Sequence, residues 1–485
     1  MITKLILASL ALATTLSAKE KPNIVFILAD DMGYDSISVN NPAMGPLKTP
    51  HIDKLAAQGM NFTDAHSGSA VCTPTRYSLL TGRYCWRSRL KRSVLWDYAR
   101  PLIEDDRITV AEMLKKEGYS TAMVGKWHLG LNWYDSDGKL ANADLKDSDN
   151  MFSRNEGTKR VKEAQAKIDF SKTTTGGPNS HGFDYWFGVD LPNMAPYLFM
   201  ENGKTVGIPS VMKPKSMFGH DGLMLPGWKL ENILPTLGEK SVEWITSAAK
   251  NDKPFFLYVP MTSPHTPISP SKEWQGKSGI DAYCDFVMET DAVVGQIMKA
   301  LDDAGVADKT LVIFSTDNGT APAGAKFKLL EKHGVDLRKH LKGHKAQIAD
   351  GGHRVPMIVR WPGKVEPGST CADVVGLTDF MATTAEILDI KLPENTAEDS
   401  FSILPLITGK AKTLPNRPLV VNHDIGGNFA IRKGKWKLIP GKKGVQLYDM
   451  EADLKESKNI AQEHPEVVEM LQTTLDRYKK SGRSR

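Results

Sequence analysis

Four short apolar runs along the chain stop abruptly in polar clusters. Asn23-Ile24-Val25-Phe26-Ile27-Leu28-Ala29 runs into Asp30-Asp31, and Ser120 to Val124 runs into Gly125-Lys126-Trp127-His128. Phe255 to Val259 leads to Ser263-Pro264-His265, and Leu311 to Thr316 leads to Asp317-Asn318-Gly319. Short, continuously apolar runs rich in β-branched and aromatic residues predict strands buried on both faces. Helical stretches separate them, at His51–Gln58, Thr109–Glu117 and Tyr283–Ala304. This alternation predicts an α/β fold with a mostly parallel sheet. In open sheets of this kind ligands bind beyond the carboxyl ends of the strands. All four polar clusters fall at such ends, so distant stretches are expected to share one crevice.

Two segments interrupt the pattern. Asn132 to Ser180 is polar and poor in large apolar residues. It reads as a surface excursion, with a helix near Arg154–Ile168, at the rim of the crevice. Lys326 to Lys345 is crowded with Lys, Arg and His. It reads either as a solvated helix face or as a basic wall that attracts anionic substrate. After Ile407-Thr408-Gly409 the character changes. Leu419–Val421, Asn428–Arg432, Trp436–Ile439 and Val445–Tyr448 read as short strands joined by Gly- and Lys-rich turns. Pro465–Lys480 follows as an amphipathic helix with Val467, Met470, Leu471 and Leu475 on one face.

Composition narrows the class. The chain has 485 residues, 41% hydrophobic and 25% charged, with a formal charge of +5. That length fits one large domain plus a smaller one. The positive balance is too slight and too dispersed for a nucleic-acid binder. Met1 to Ala18 reads as a secretory signal, with Lys4 before an apolar run too short to span a bilayer. No later segment reads as a membrane span. The expected localisation is export, to a bacterial periplasm or the medium. The four cysteines are Cys72, Cys85, Cys284 and Cys371, and no spacing among them resembles a zinc site.

The most informative segment runs from Ala70 to Gly82. It places Cys72 at the entry of a short helix, with Pro74 in the first turn, where its missing N–H goes unneeded. Free N–H groups there favour an anion, and Arg76, one turn on, can fold back over the same spot. Taken alone, Cys72 could be no more than a buried thiol beside a helix N-terminus. The pattern C-x-P-x-R, then Leu79-Leu80 and Thr81-Gly82, resembles the first sulfatase signature. Gly118 to His128 resembles the second. The resemblance is to the type I, formylglycine-dependent sulfatases, arylsulfatase-like members of the alkaline phosphatase superfamily. It spans Asp30 through the Lys345 region.

The metal reading also stands on the residues. Asp30, Asp31, Asp317 and Asn318 offer only hard oxygen ligands, which suit Ca²⁺ or Mg²⁺ rather than zinc. An amide oxygen among carboxylates favours Ca²⁺, the ion usual in the family; the resemblance, not the residues, implies the Cys72-derived group as a further ligand.

The resemblance implies the rest. The fold would be a large alkaline-phosphatase-like α/β sandwich with a mostly parallel sheet, plus a small C-terminal domain with an antiparallel sheet and one helix. The divisions would be a signal peptide at 1–18, a catalytic domain at 19–410 and an α+β domain at 411–485. A formylglycine-generating enzyme would convert Cys72 during maturation, leaving three cysteines and at most one disulfide. The hydrated aldehyde would attack sulfur, and its second hydroxyl would later expel sulfate. His128 would serve the diol and His265 the leaving oxygen. Arg76, Lys126 and Lys345 would hold sulfate oxygens or the diol. Lys345 leads into Asp350-Gly351-Gly352, where the family more often has Glu-Gly-Gly. Asn193 and His423 are candidate substrate contacts. His181-Gly182-Phe183 reads as a turn with a packed Phe. The expected activity is hydrolysis of sulfate monoesters, on sulfated carbohydrates or aryl sulfates. The alternatives are a formylglycine-dependent phosphodiesterase or phosphonate monoester hydrolase, and a non-catalytic glycan-binding homologue.

Overall fold

A computed structural model describes residues 21–152, 155–441 and 444–485, so the expected signal segment lies outside the described residues. Seven strands make the body of one large sheet. They are β1 (Asn23–Ala29), β2 (Met60–His66), β3 (Ser120–Lys126), β4 (Tyr185–Val189), β5 (Phe255–Pro260), β6 (Thr310–Thr316) and β7 (Arg354–Arg360). Their order is β2-β7-β6-β1-β5-β3-β4, with short strands extending both ends. Strands β6, β1, β5, β3 and β4 are all parallel. β7 runs antiparallel between β6 and β2.

Alternation along β1 divides the core. Ile24, Phe26 and Leu28 enter one buried cluster; Val25, Ile27 and Ala29 enter the other. A strand with apolar side chains on both faces must be covered twice. Helix α1 (Cys72–Thr81) supplies Tyr77, Leu79 and Leu80 to the first cluster. Helices α2 (Ile233–Ala248) and α3 (Ala282–Asp303) pack on the second. The result is the expected sandwich. Ala29 pairs with Thr316 across β1 and β6. The residues that follow, Asp30-Asp31 and Asp317-Asn318, therefore leave adjacent strands at one level.

The segment expected as a surface excursion is partly core. Trp133, Val161, Ala164, Ile168 and Phe170 are buried in the α1-side cluster, and the helix there spans Glu156–Lys167. These apolar residues are too sparse to give a periodic signal, so tertiary packing alone reveals them. All four cysteines are buried free thiols, so no disulfide forms.

Beyond the large sheet, β8 (Val420–His423), β9 (Phe429–Lys433), β10 (Trp436–Ile439) and β11 (Gln446–Asp449) form an antiparallel sheet in that order. Helix α4 (Pro465–Ser481) buries Leu471, Leu475 and Tyr478 against it. Tyr84 and Trp86, just past α1, join this small core. A buried ionic junction also ties the two parts together. Arg432 reaches Asp64 at 2.7 Å and Asp350 at 3.3 Å, while Lys437 reaches Asp350 at 2.7 Å and Glu456 at 2.9 Å. His66 and His353 lie within reach of Asp350 as a metal-like group, but these cations already answer its charge. No described helix is long and apolar enough to cross a membrane.

Candidate active site

Val71 is extended, with φ −146° and ψ 157°, so Cys72 is the first helical residue of α1. Every residue of α1 is buried, and Gly82, at φ 64°, ends it in the left-handed conformation. This explains the Thr-Gly of the motif: a Cβ on Gly82 would lie 2.7 Å from the Cβ of Ala397. Cys72 is 3% exposed. Burial pushes its thiol pKa up, against the pull of Lys126 and Lys345. A raised thiol is a poor nucleophile. Its Sγ stands in for the oxygen of the aldehyde, or of its hydrate, that maturation would place there.

The acidic groups gather opposite this helix start. Lys126 Nζ lies 2.6 Å from Asp30, and Lys345 Nζ lies 2.5 Å from Asp31. Arg76 donates to Asp317 at 2.8 Å and to the Lys126 carbonyl at 3.0 Å, with Asp30 at 3.3 Å. Asn318 donates its amide N–H to Asp31 at 2.8 Å. Three oxygens remain buried with no hydrogen-bond partner: Asp30 Oδ1, Asp31 Oδ2 and Asn318 Oδ1. Orphaned hard oxygens at one spot are costly unless something positive meets them. They fit Ca²⁺ by donor type and charge.

Electrostatics splits the carboxylates. Burial would raise Asp30, but Lys126, His265 and Arg76 together hold it well below the usual carboxylate range. Asp317 is pushed up to about 7, by burial first and then by repulsion from Asp30. Lys345 stays charged, because Asp31 and the groups around it outweigh the burial penalty.

Both histidines reach the cluster from loops after strands. His128 has φ 55°, as Asp31 has φ 66°. Such conformations cost about 1–2 kcal/mol in an L-residue and collect at functional sites. The His128 backbone N–H donates to Asp190 at 3.1 Å. Its ring Nε2 lies 3.0 Å from the Leu95 carbonyl, which assigns the proton to that nitrogen. Nδ1 is then a buried acceptor without a partner. Burial and Lys126 hold the ring neutral, well below its ordinary pKa. His265 is fixed through Nδ1 to the Thr266 carbonyl, and its Nε2 lies 3.7 Å from Asp31. Burial and Lys345 lower it to about 4.

The Asp-Gly-Gly departure from the family pattern has a local reason to keep its glycines. Gly319 donates to the Gly352 carbonyl at 2.9 Å, and a Cβ on Gly319 would lie 1.8 Å from the Gly351 oxygen. The Asp317-Asn318-Gly319 turn therefore packs backbone to backbone on the segment that carries Lys345. Ala346 then donates to the Ala70 carbonyl at 2.8 Å, joining that segment to the nucleophile loop.

Cys72, Arg76, Lys126, His128, His265, Lys345, Asp30, Asp31, Asp317 and Asn318 thus converge. Among the described residues, no hydrogen bond or ion pair joins Asn193 or His423 to this cluster, and Asn193 Oδ1 and both His423 ring nitrogens are buried without a partner. The Asn193 carbonyl accepts from the Tyr197 hydroxyl and the His220 N–H. His423 is fully buried in β8, and its carbonyl accepts from Ala70 N–H at 2.9 Å and Ser69 Oγ at 3.0 Å. It supports the nucleophile loop through its backbone. His181 ends a short turn as expected, its ring stacked on Trp127. Of the basic run, Lys345 reaches the cluster, whereas His340 pairs with Asp35 and Arg338 with Glu331. Sequence reading missed Asp190, which positions His128. It follows the apolar run Trp186–Val189, so the same strand-end signal marks it.

An oxygen cage and three cations around a helix-start cysteine, at the carboxyl edge of such a sheet, define a hydrolase for tetrahedral oxyanion esters. The Sulfatase family model matches residues 22–390, and the model for the N-sulphoglucosamine sulphohydrolase C-terminal region matches 343–481. The chain belongs to the sulfatase family. It is 32% identical to the N-acetylgalactosamine-6-O-sulfatase of Bacteroides thetaiotaomicron, over 95% of this chain and 93% of that one. It is 31% identical to arylsulfatase A of Homo sapiens, over 88% and 76%. A solved structure from work on glycosaminoglycan metabolism by Bacteroides thetaiotaomicron superposes with a TM-score of 0.80 at 31% identity, covering 95% and 99%. Sulfate monoester hydrolysis, dependent on formylglycine and Ca²⁺, is accordingly the activity, over the phosphodiester, phosphonate and non-catalytic alternatives.

Proposed function

We propose that this chain is an exported sulfatase acting on carbohydrate sulfates, with a 6-O-sulfated galactosamine-type sugar as the first substrate to test. The observation that carries the site assignment is the meeting of Cys72 with three orphaned oxygens and three cations. The sugar class rests on relatives named N-acetylgalactosamine-6-sulfatases, from the bacterium above and from Mus musculus.

In this reading Asp30, Asp31, Asp317 and Asn318, with the Cys72-derived group, hold Ca²⁺. When bound, the cation lowers the cost of negative charge on the reacting oxygens. Formylglycine at Cys72 supplies, as its hydrate, an oxygen nucleophile that the raised thiol cannot. Arg76, Lys126 and Lys345 hold the sulfate oxygens in a dry, fixed array, where charge–charge attraction is strong. Bound sulfate brings negative charge beside His265 and so favours a proton on its Nε2; that proton then passes to the leaving sugar oxygen. His128 Nδ1, already a free acceptor, takes the proton from the Cys72-derived group so that sulfate is expelled.

The test is sulfate release from a panel of sugars sulfated at defined positions, with protein produced beside a formylglycine-generating enzyme. Turnover of 6-O-sulfated sugars is expected. Release from aryl sulfate with none from any sugar would overturn the carbohydrate reading.

A further inference from the structure

We infer that Trp96, Asp97 and His220 form a subsite for the sugar bearing the sulfate, and that it reads a free hydroxyl and excludes a second sulfate there. The inference rests on the carbohydrate reading above and specifies which sugars fit it. Its location follows from contacts with the catalytic cluster. Trp96 packs on Val71, Cys72 and Val94 together with Ala346, the neighbour of Lys345. The preceding residue, Leu95, holds His128 through its carbonyl and takes Thr73 Oγ1 on its N–H. The strip 94–97 is therefore laid directly over the nucleophile helix.

Its chemistry differs from that of the sulfate side. His220 and Asp97 are each 1% exposed, and His220 Nδ1 lies 2.6 Å from Asp97 Oδ2. The Met151 N–H adds a bond to the same oxygen at 3.3 Å. Two atoms of this pair are left buried with no partner, Asp97 Oδ1 and His220 Nε2, and Asn193, whose carbonyl takes the His220 N–H, leaves its Oδ1 as a third. None has a part in the proposed reaction. Leaving such atoms unpaired is costly, so they call for a ligand with hydrogens to give. A hydroxyl satisfies Asp97 Oδ1 as donor, and satisfies His220 Nε2 whichever ring nitrogen carries the proton. A sulfate can only accept, and it would face the Asp97 carboxylate.

Aromatic contacts fix the orientation of the His220 ring, and so the position of its free Nε2. The Trp96 and His220 rings stack, 12° from parallel with centroids 5.9 Å apart. Phe152, 67% exposed, meets the His220 ring edge to face with centroids 3.9 Å apart. The His220 backbone is pinned as well, by its N–H to the Asn193 carbonyl at 2.9 Å and by the Tyr197 hydroxyl on its carbonyl at 2.7 Å. Cations thus hold the ester sulfate on one side, and acceptors read the hydroxyls on the other.

The experiment compares a sulfated monosaccharide with 4-nitrophenyl sulfate, which has no ring hydroxyls. Asp97→Asn and His220→Ala should each lower kcat/KM for the sugar roughly tenfold or more, and change it less than about twofold for the aryl ester. Wild-type enzyme needs no variant to test the same point. One mono-deoxy analogue should lose roughly tenfold, with no further loss in His220→Ala, and a sugar sulfated at that hydroxyl should be turned over no better than the deoxy analogue. Equal losses on both substrates, or deoxy and disulfated sugars cleaved as fast as the parent, would overturn the subsite. A wild-type enzyme that cleaves the aryl ester and no sugar would overturn the carbohydrate reading itself.

Discussion

Removing the cation should make stability fall with rising pH in a way that the loaded protein does not share. Without Ca²⁺ the buried Asp317 carboxyl sits at about 7, against an ordinary value of 3.8, through burial first and Asp30 second. A carboxyl raised in the fold keeps its proton there between about pH 4 and 7 while the unfolded chain has lost it. The folded state then binds more protons than the unfolded state, so stability declines as pH rises through that window. Each pH unit costs about 1.4 kcal/mol, or about 3 kcal/mol between pH 5 and 7. Asp317 is fully buried, so solvent screening does not reduce this. Asp30 adds nothing in the window, because its depressed pKa leaves it ionised in both states. Buried His265 and His423, each lowered to about 4, push the other way below pH 6.5. They do so in loaded and chelated protein alike, so the difference between the two forms isolates Asp317. Binding of Ca²⁺ requires the ionised carboxylate, so its affinity should fall about tenfold per unit below pH 7. Titration calorimetry in buffers of different ionisation enthalpy measures the protons released. About one per Ca²⁺ is expected at pH 5.5 and none at pH 8, with a melting-temperature gap that widens from pH 5 to 7. No proton release at pH 5.5, or parallel melting curves, would refute the coupling.

Three further outcomes are expected. Cys72→Ala should abolish turnover while keeping a Ca²⁺-dependent rise in melting temperature, reduced by the loss of one ligand, read by sulfate release and thermal denaturation; retention of a tenth of activity would contradict the assignment. His265→Ala should slow hydrolysis of a sulfated sugar by roughly a hundred- to ten-thousand-fold, and much less for an aryl sulfate, whose alcohol leaves without a proton. Arg76→Met leaves Asp30 and Asp317 without their shared buried partner. In chelated protein it should cost about 3–5 kcal/mol in urea denaturation, and a loss below about 1 kcal/mol would show that the pair contributes little.

The legible parts of this molecule are those where one local rule decides. Asn23–Ala29, Phe255–Val259 and Leu311–Thr316 are apolar at nearly every position, so burial on both faces follows without knowledge of their neighbours. Their abrupt polar ends marked Asp30, His265 and Asp317. β2 was not legible, because Met60-Asn61-Phe62-Thr63-Asp64-Ala65-His66 alternates with polar residues that look solvated. In the fold, Asp64 meets Arg432 at 2.7 Å and His66 at the same distance, partners supplied from far along the chain or by the strand itself. Long-range ion pairs leave no local trace. The same holds for His220 and Asp97, which lie in ordinary loop sequence and acquire meaning only when folding brings them 2.6 Å apart, with Trp96 stacked on His220. His423, a candidate substrate contact, has a second role with no sequence signal, because its carbonyl accepts from the Ala70 N–H and the Ser69 Oγ of the nucleophile loop.

The most direct test of formylglycine chemistry at Cys72 is the mass of the peptide that carries it, taken from enzyme of measured specific activity on a sulfated sugar. The predicted result is a mass lower by the difference between a CH₂SH and a CHO group; any hydrate keeps the encoded nominal mass but fails to react with a thiol reagent, and activity is proportional to the modified fraction. Full activity in protein whose Cys72 is an unmodified thiol would contradict it.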